Sequence, residues 1–191
     1  LYEGGIREPF IIRWPGTVPA GVVNTNTAVS TLDLLPTYCS FAKIALPNAP
    51  FAGENMSDVF GGSQRQRNRP LFWEYGTVSA LSPASPKLAM REGHYKFMRN
   101  PDGTKRELYL IPQDNAEATN LVNQPAYASV VTDMEARLLT WYDEIVLGNL
   151  GETYDCSASN NFTGLVIADS YNVAGNNSPG TGFGVNSGAN Y

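Results

Sequence analysis

Residues 1–16 read LYEGGIREPFIIRWPG, and the organisation of the chain is decided by what this stretch becomes. The pair Gly4-Gly5 marks a tight turn, because glycine adopts positive φ without the steric cost a Cβ imposes. The run Pro9, Phe10, Ile11, Ile12 is apolar, partly β-branched and closed by Pro15-Gly16, which predicts a buried strand entering a turn. Trp14 at its end is expected in the core. After a loop through TVPAGVVNTNT, the segment STLDLLPTYCSFAKIAL offers Ser30, Thr31 or Asp33 as an N-cap and tolerates Pro36 in a first turn. A helix over 34–44 follows, with Leu35, Tyr38, Cys39 and Ala42 on its apolar face. Strand, loop and helix in this order form the unit of an α/β sheet.

Further along, residues 47–69 are rich in Gly, Asn and Gln without a steady period, and read as surface connection. Four short strands are expected next, over 71–75, 88–91, 95–99 and 107–111. Gly93 turns the second into the third, and NPDG at 100–103 turns the third towards the fourth, so the strands form an antiparallel meander. Between 127 and 147 the apolar residues Val130, Met134, Leu138, Trp141 and Ile145 recur at spacings of four, four, three and four, while Asp133, Glu135, Arg137 and Asp143 occupy other faces. That period predicts an amphipathic helix covering one face of the meander. Residues 151–191 are dominated by Gly, Asn and Ser and read as a linker or the start of a further module.

The 191 residues are 42% hydrophobic and carry a formal net charge of −5, with RQRNR at 65–69 as the one cluster of arginines. A globular chain of this balance is a poor phosphate-backbone binder, so nucleic acid is not expected as a partner. No stretch approaches the roughly 18 consecutive apolar residues of a spanning helix. Cys39 and Cys156 form neither a CxxC pair nor a zinc knuckle, and Cys39 reads as a small buried apolar residue. Asn55-Met-Ser57, Asn161-Phe-Thr163 and Asn176-Asn-Ser178 fit the N-glycosylation acceptor pattern without settling a compartment.

Chemistry is sparse inside the chain. The single histidine, His94, excludes any site needing two imidazoles, including HExxH. No GxSxG elbow occurs, GGSQRQR lacks the Gly-Lys-Ser/Thr of a phosphate loop, and GNNSPGTGFG has no strand before it or helix after it. Glu3, Glu8, Asp33, Glu54, Asp58, Glu74 and Asp102 stand singly, so no oxygen cage for a hard cation is expected, and each reads as solvated charge. On their own residues, then, these segments make a folded module with no catalytic or metal-binding residues.

LYEGGIREPFIIRWPG nonetheless resembles, almost residue for residue, a segment of the type I sulfatases, the arylsulfatase family of the alkaline-phosphatase-like superfamily, which reads K-x-x-x-YEGG-x-R-x-P-x-x-x-x-WPG. STLDLLPTYCSFAKIALP is similar to the family's next helix with its D-L-x-P-T segment, MREGHYKFMRN to its R-x-G-x-x-K strand pair, and ELYLIPQDNAEATNL to its E-L-Y-D-L-x-x-D-P-x-E-x-x-N-L signature. Leu110 stands where the family usually has Asp, Asn115 where it usually has Pro, and Ile44-Ala45 where it has Gly-Ile. The resemblance implies an α/β fold. Residues 1–46 would be the C-terminal edge of the catalytic domain, and 47–150 an α+β subdomain made of a four-stranded antiparallel sheet with a packed helix. Residues 151–191 would form a tail or an incomplete module.

The same resemblance implies a parent enzyme that hydrolyses sulfate esters of sugars or aryl alcohols, with calcium holding the sulfate and a formylglycine attacking sulfur. The formylglycine precursor lies in a C/S-x-P-x-R motif and the calcium ligands are Asp and Asn, all upstream of this segment. Neither Cys39, followed by Ser-Phe-Ala-Lys, nor Cys156, followed by Ser-Ala-Ser-Asn, fits that motif. The chain is therefore expected to be a C-terminal portion of a sulfatase, inactive by itself. Two rivals stand beside this: a purely structural module, and part of a phosphonate or phosphate monoester hydrolase of the same superfamily. Secreted, periplasmic and lysosomal locations all fit the family, and the oligomeric state is left open.

Two residues are candidates for substrate contact. Arg7 follows the glycine pair, and its guanidinium either clamps a buried carboxylate, with Glu3 as the obvious partner, or faces the active-site floor. His94 sits at the tip of a turn where the family's subdomain leans over the substrate cleft. Trp73, Tyr75 and Tyr95 have the size to stack on a sugar or aryl group, but strand alternation favours packing.

Overall fold

The computed structural model describes residues 1–48, 51–75 and 85–147. The expected tail, Cys156 and the acceptor tripeptides at Asn161 and Asn176 lie outside them. Eight elements carry the architecture: α1 (Glu3–Ile6), α2 (Leu34–Ala42), α3 (Ser57–Phe60), β1 (Leu71–Glu74), β2 (Leu88–Glu92), β3 (Tyr95–Arg99), β4 (Glu107–Leu110) and α4 (Ala128–Trp141). A 3-10 turn, Thr31–Asp33, leads into α2, another, Pro125–Tyr127, leads into α4, and a π-helical turn, Tyr142–Leu147, continues α4.

The four strands form one antiparallel sheet in sequence order, the meander expected from the turns that connect them. Its register sorts side chains cleanly into two faces. Phe72, Met90, Phe97 and Leu108 stand opposite one another in one row, and Leu88 joins them two residues away on the same face. With Val131, Met134 and Leu138 of α4 these residues build the main core. Phe97, Leu108 and Leu138 are wholly buried, and each contributes about 1.5–3 kcal/mol of transfer free energy. The two-residue hairpin loop Gly93-His94 requires positive φ at Gly93, here +55°, which glycine supplies. The sequence-predicted helix period holds, although the inward residue of its first turn is Val131 and Val130 is only half-buried. The side chain of Ile145 lies outside the described residues.

Before α2, Ser30 and Asp33 form a reciprocal capping box: Leu32 N donates to Ser30 Oγ (3.3 Å) and Ser30 N donates to Asp33 Oδ2 (2.8 Å). The helix stops at Ala42, because Lys43 adopts the left-handed conformation (φ 55°) that closes helices. Its buried face is Pro36, Thr37 and Cys39 rather than the expected Leu35, Tyr38, Cys39 and Ala42; Tyr38 is 56% exposed. The cause is the short helix α3, which the composition of 47–69 hid. Met56, Val59 and Phe60 make a second small core with Leu34 and Phe41, and Thr37 Oγ1 accepts from Met56 N at 2.9 Å.

Three expectations for the opening stretch do not hold. Residues 9–14 form no strand, and Phe10, Ile11 and Trp14 are 50%, 89% and 44% exposed. A strand needs a neighbour to share its backbone hydrogen bonds, and no other strand lies beside this segment among the described residues. Trp14 instead lays an edge against Phe41, with ring centroids 4.9 Å apart, and Phe10 tilts against Phe60 at 5.6 Å. Nor do Gly4 and Gly5 use positive φ: both sit within the helical turn α1.

Candidate functional site

The face of the sheet opposite α4 is where the opening stretch docks. Leu71, Arg91, Lys96 and Tyr109 stand opposite one another across the four strands on this face, and Trp73, Ala89 and Met98 lie beside them. Leu1 and Tyr2 pack on Ala89, Met98, Tyr109 and Ile111. The Tyr2 hydroxyl donates to Glu107 Oε1 at 3.2 Å and that of Tyr109 to Glu107 Oε2 at 3.0 Å. Desolvation and the Glu107 carboxylate push both phenols above their ordinary range.

This docking carries α1 over the two cations. Lys96, wholly buried, places Nζ 2.9 Å from Glu3 Oε1 and 2.9 Å from Glu117 Oε1. Glu3 N donates to Glu117 Oε2 at 2.6 Å, and Arg91 Nη1 lies 3.4 Å from Glu3 Oε2. Glu117 is presented by a left-handed backbone (φ 52°), in a turn whose Ala118 and Thr119 amides donate to Asp114 at 3.0 and 2.8 Å. The two cations are matched by two carboxylates, the condition under which charge survives burial. Burial lowers the affinity of Arg91 for its proton and Glu3 opposes that shift; Arg91 Nε has no hydrogen-bond partner among the described residues. Glu3 was expected in solvent and to pair with Arg7; both expectations fail, because Lys96 and Arg91 take it.

Arg7 is exposed and donates to Asn115 Oδ1 at 2.9 Å, a neutral partner. His94 is half-buried at the hairpin tip, its ring nitrogens 2.5 and 3.2 Å from Gln66 Nε2 and its carbonyl accepting from Ile111 N at 2.9 Å. No hydrogen bond or ion pair joins Arg7 to His94 among the described residues. Trp73 and Tyr95 pack as half-buried residues, Tyr95 with its ring centroid 6.2 Å from that of Tyr127, whereas Tyr75 is 47% exposed instead of packed.

The arginine cluster at 65–69 is internal bracing. Arg67 makes a bidentate pair with Asp33, which is wholly buried, through Nη1 to Oδ2 and Nη2 to Oδ1. Asp33 Oδ1 also accepts from Glu54 N at 2.8 Å. Arg65 reaches Asp58 at 2.7 Å and Glu54 at 3.0 Å, and its hydrogen bond holds the Asp58 carboxyl below the usual range. Arg69 donates to the carbonyl of Phe51 at 2.5 Å. Asp33 thus corrects a second reading as solvated charge; a Ser-x-x-Asp capping box at 30–33 was the signal for it. An open hollow of about 640 Å³ lies over the loop 12–20 and Gly61, with Arg13 its one charged residue among the described residues.

A family model described as the N-sulphoglucosamine sulphohydrolase C-terminal region matches residues 1–144. The chain belongs to this sulfatase family. Among similar proteins, human arylsulfatase G is 39% identical over 163 residues, covering 78% of this chain and 31% of that protein. A Delta 4,5-hexuronate-2-O-sulfatase of Bacteroides thetaiotaomicron is 31% identical over 144 residues, covering 72% and 29%. Human arylsulfatase A is 37% identical over 95 residues, covering 50% and 18%. A solved structure of a protein in complex with its substrate, D-glucosamine-2-N,6-O-disulfate, shares the fold with a TM-score of 0.55 at 19% identity, over 70% of this chain and 28% of that one.

The chain thus spans between 18% and 31% of the length of the named sulfatase relatives. Within the family frame, Glu3 of the sulfatase-like opening and Lys96 of the strand pair, separated by some ninety positions, meet in one buried cluster. No helix among the described residues is long and apolar enough to cross a membrane.

Proposed function

We propose that this chain is the C-terminal portion of a sulfatase whose whole hydrolyses sulfate esters of sugars or aryl alcohols, and that the portion serves to hold and orient one wall of the substrate cleft. The observation that carries it is the buried Glu3–Lys96–Glu117 cluster, which fastens the sulfatase-like opening stretch to the sheet. Chain entering at Leu1 is thereby held in a fixed orientation to the subdomain. Arg7, an exposed guanidinium whose partner is a neutral amide, is suited to attract an anionic substrate, and His94, steadied by Gln66, is suited to contact it.

Calcium and a formylglycine nucleophile belong to this reading through the family resemblance. The described residues do not fit a metal: no three of His, Cys, Asp and Glu converge to hold one. Cys39 is buried and lacks the downstream Pro and Arg of the modification motif. No step of the reaction is therefore assigned to these residues; their part is binding and orientation.

The test is to express the chain together with the coding sequence upstream of Leu1 and to compare aryl sulfate, aryl phosphate and aryl phosphonate as substrates. Preferred turnover of the sulfate is expected, with Arg7→Ala and His94→Ala raising KM more than they lower kcat. Preference for the phosphonate would replace this reading with that of a phosphonate monoester hydrolase. The 191 residues alone are expected to give no turnover of aryl sulfate; activity there would overturn the scaffold role.

A further inference from the structure

We propose that Asn55 is an acceptor for an N-linked oligosaccharide. Of the acceptor tripeptides in the sequence, Asn55-Met-Ser57 is the one that falls among the described residues, and its geometry divides the work of the asparagine amide in two. Oδ1 is engaged, accepting from Ser57 N at 2.9 Å in an Asx turn at the entry to α3. Nδ2 donates to nothing among the described residues. Folding therefore uses the oxygen, a service that aspartate performs equally well, and leaves the nitrogen free.

The surroundings point the side chain outward and hold it there. Met56 is wholly buried and anchors the middle of the tripeptide in the small core with Val59 and Phe60. Asn55 is exposed, and its carbonyl accepts from Arg65 Nη2 at 3.1 Å, which fixes the backbone at that point. Ser57 makes one long hydroxyl contact, 3.4 Å to Ser40 Oγ, so the third position of the acceptor is not committed to the fold either.

In the transfer, Nδ2 bonds to the anomeric carbon of the first sugar of a lipid diphosphate-linked oligosaccharide. The bond from that carbon to the diphosphate oxygen breaks, the lipid diphosphate departs, and the amide proton passes to a base of the transferase. The product keeps Oδ1 as an acceptor, so the Asx turn survives modification, and an exposed attachment point places the glycan in solvent.

The full chain, produced behind a cleavable secretion signal in yeast with a C-terminal tag bearing its own acceptor site, tests this. Molecules are captured by lectin, those with an occupied tag are selected, and peptides are released with an N-glycanase in heavy-oxygen water, which marks each formerly occupied asparagine. The Asn55 peptide is expected to carry the mark in most molecules, to lose it in Asn55→Gln and Ser57→Ala, and to keep it in Ser57→Thr. An unmarked Asn55 beside an occupied tag overturns the proposal, as does a mark that persists in Ser57→Ala.

Discussion

Lys96 and Glu3 face each other at 2.9 Å with both side chains buried, one from the second position of β3 and the other from the first helical turn of the chain. Removing one member of such a pair strands the other's charge out of water, at a cost of about 3–5 kcal/mol. Lys96→Met leaves two carboxylates, Glu3 and Glu117, without their shared cation and is expected to lose stability of that order in urea denaturation. Combining it with Glu3→Gln should recover part of the loss, because the double variant buries less uncompensated charge. Additive losses in the double-mutant cycle would show that the pair is not coupled.

Arg67 and Asp33 make the second buried pair, and here shape matters as well as charge. The planar guanidinium meets both carboxylate oxygens, a geometry an ammonium cannot reproduce. Arg67→Lys is expected to cost about 1.5–3 kcal/mol, the range for a hydrogen bond to a charged group. Measured midpoints equal to wild type would mean that the lysine recovers both contacts.

The parts of this fold that follow local rules were legible from the sequence, and the parts that depend on distant partners were not. β3 follows from the turn signals that bound residues 95–99, Gly93 before them and NPDG at 100–103 after, and α4 from the spacing of Met134, Leu138 and Trp141, whose period reports which side of the helix is apolar. Residues 9–14 carry the same apolar signal as a strand, yet a strand exists only through its neighbour, and none lies beside it among the described residues. Glu3 and Asp33 look like ordinary surface acids, and only the register that brings Lys96 and the loop that brings Arg67 make them internal. His94 was legible as a turn residue; the Gln66 amide beside it belongs to a segment with no period to place it.

Gly53 and Gly4 offer opposite outcomes for the same substitution. A Cβ at Gly53 would stand 2.0 Å from the Leu32 carbonyl oxygen, a backbone atom pinned by the capping box, so Gly53→Ala is expected to cost about 3 kcal/mol or more. At Gly4 nothing lies within 4 Å of the same atom and the backbone is helical. Gly4→Ala is expected to stabilise by about 0.5–1 kcal/mol by restricting the unfolded chain. Thermal midpoints moving in the same direction for both variants would contradict this account of the two sites.

Glu74 at the end of β1 gives a dependence on pH whose sign can be worked out. Its side chain turns toward the α4 face, beside Phe72, which stacks on Trp141 with ring centroids 5.1 Å apart and planes 9° from parallel. Burial raises its carboxyl above the ordinary value of 4.5, and Lys87 opposes this only in part. A raised carboxyl means that the folded state holds the proton more tightly than the unfolded chain does. The contribution of Glu74 is therefore most favourable below the unfolded value and is lost as pH rises from there through the raised folded value. Glu74→Gln removes the titration and keeps the shape, so its urea midpoint should exceed that of wild type at pH 7 and draw level with it near pH 4. A difference between the two proteins that stays constant across that range would place the effect of the substitution in packing rather than in the desolvated charge.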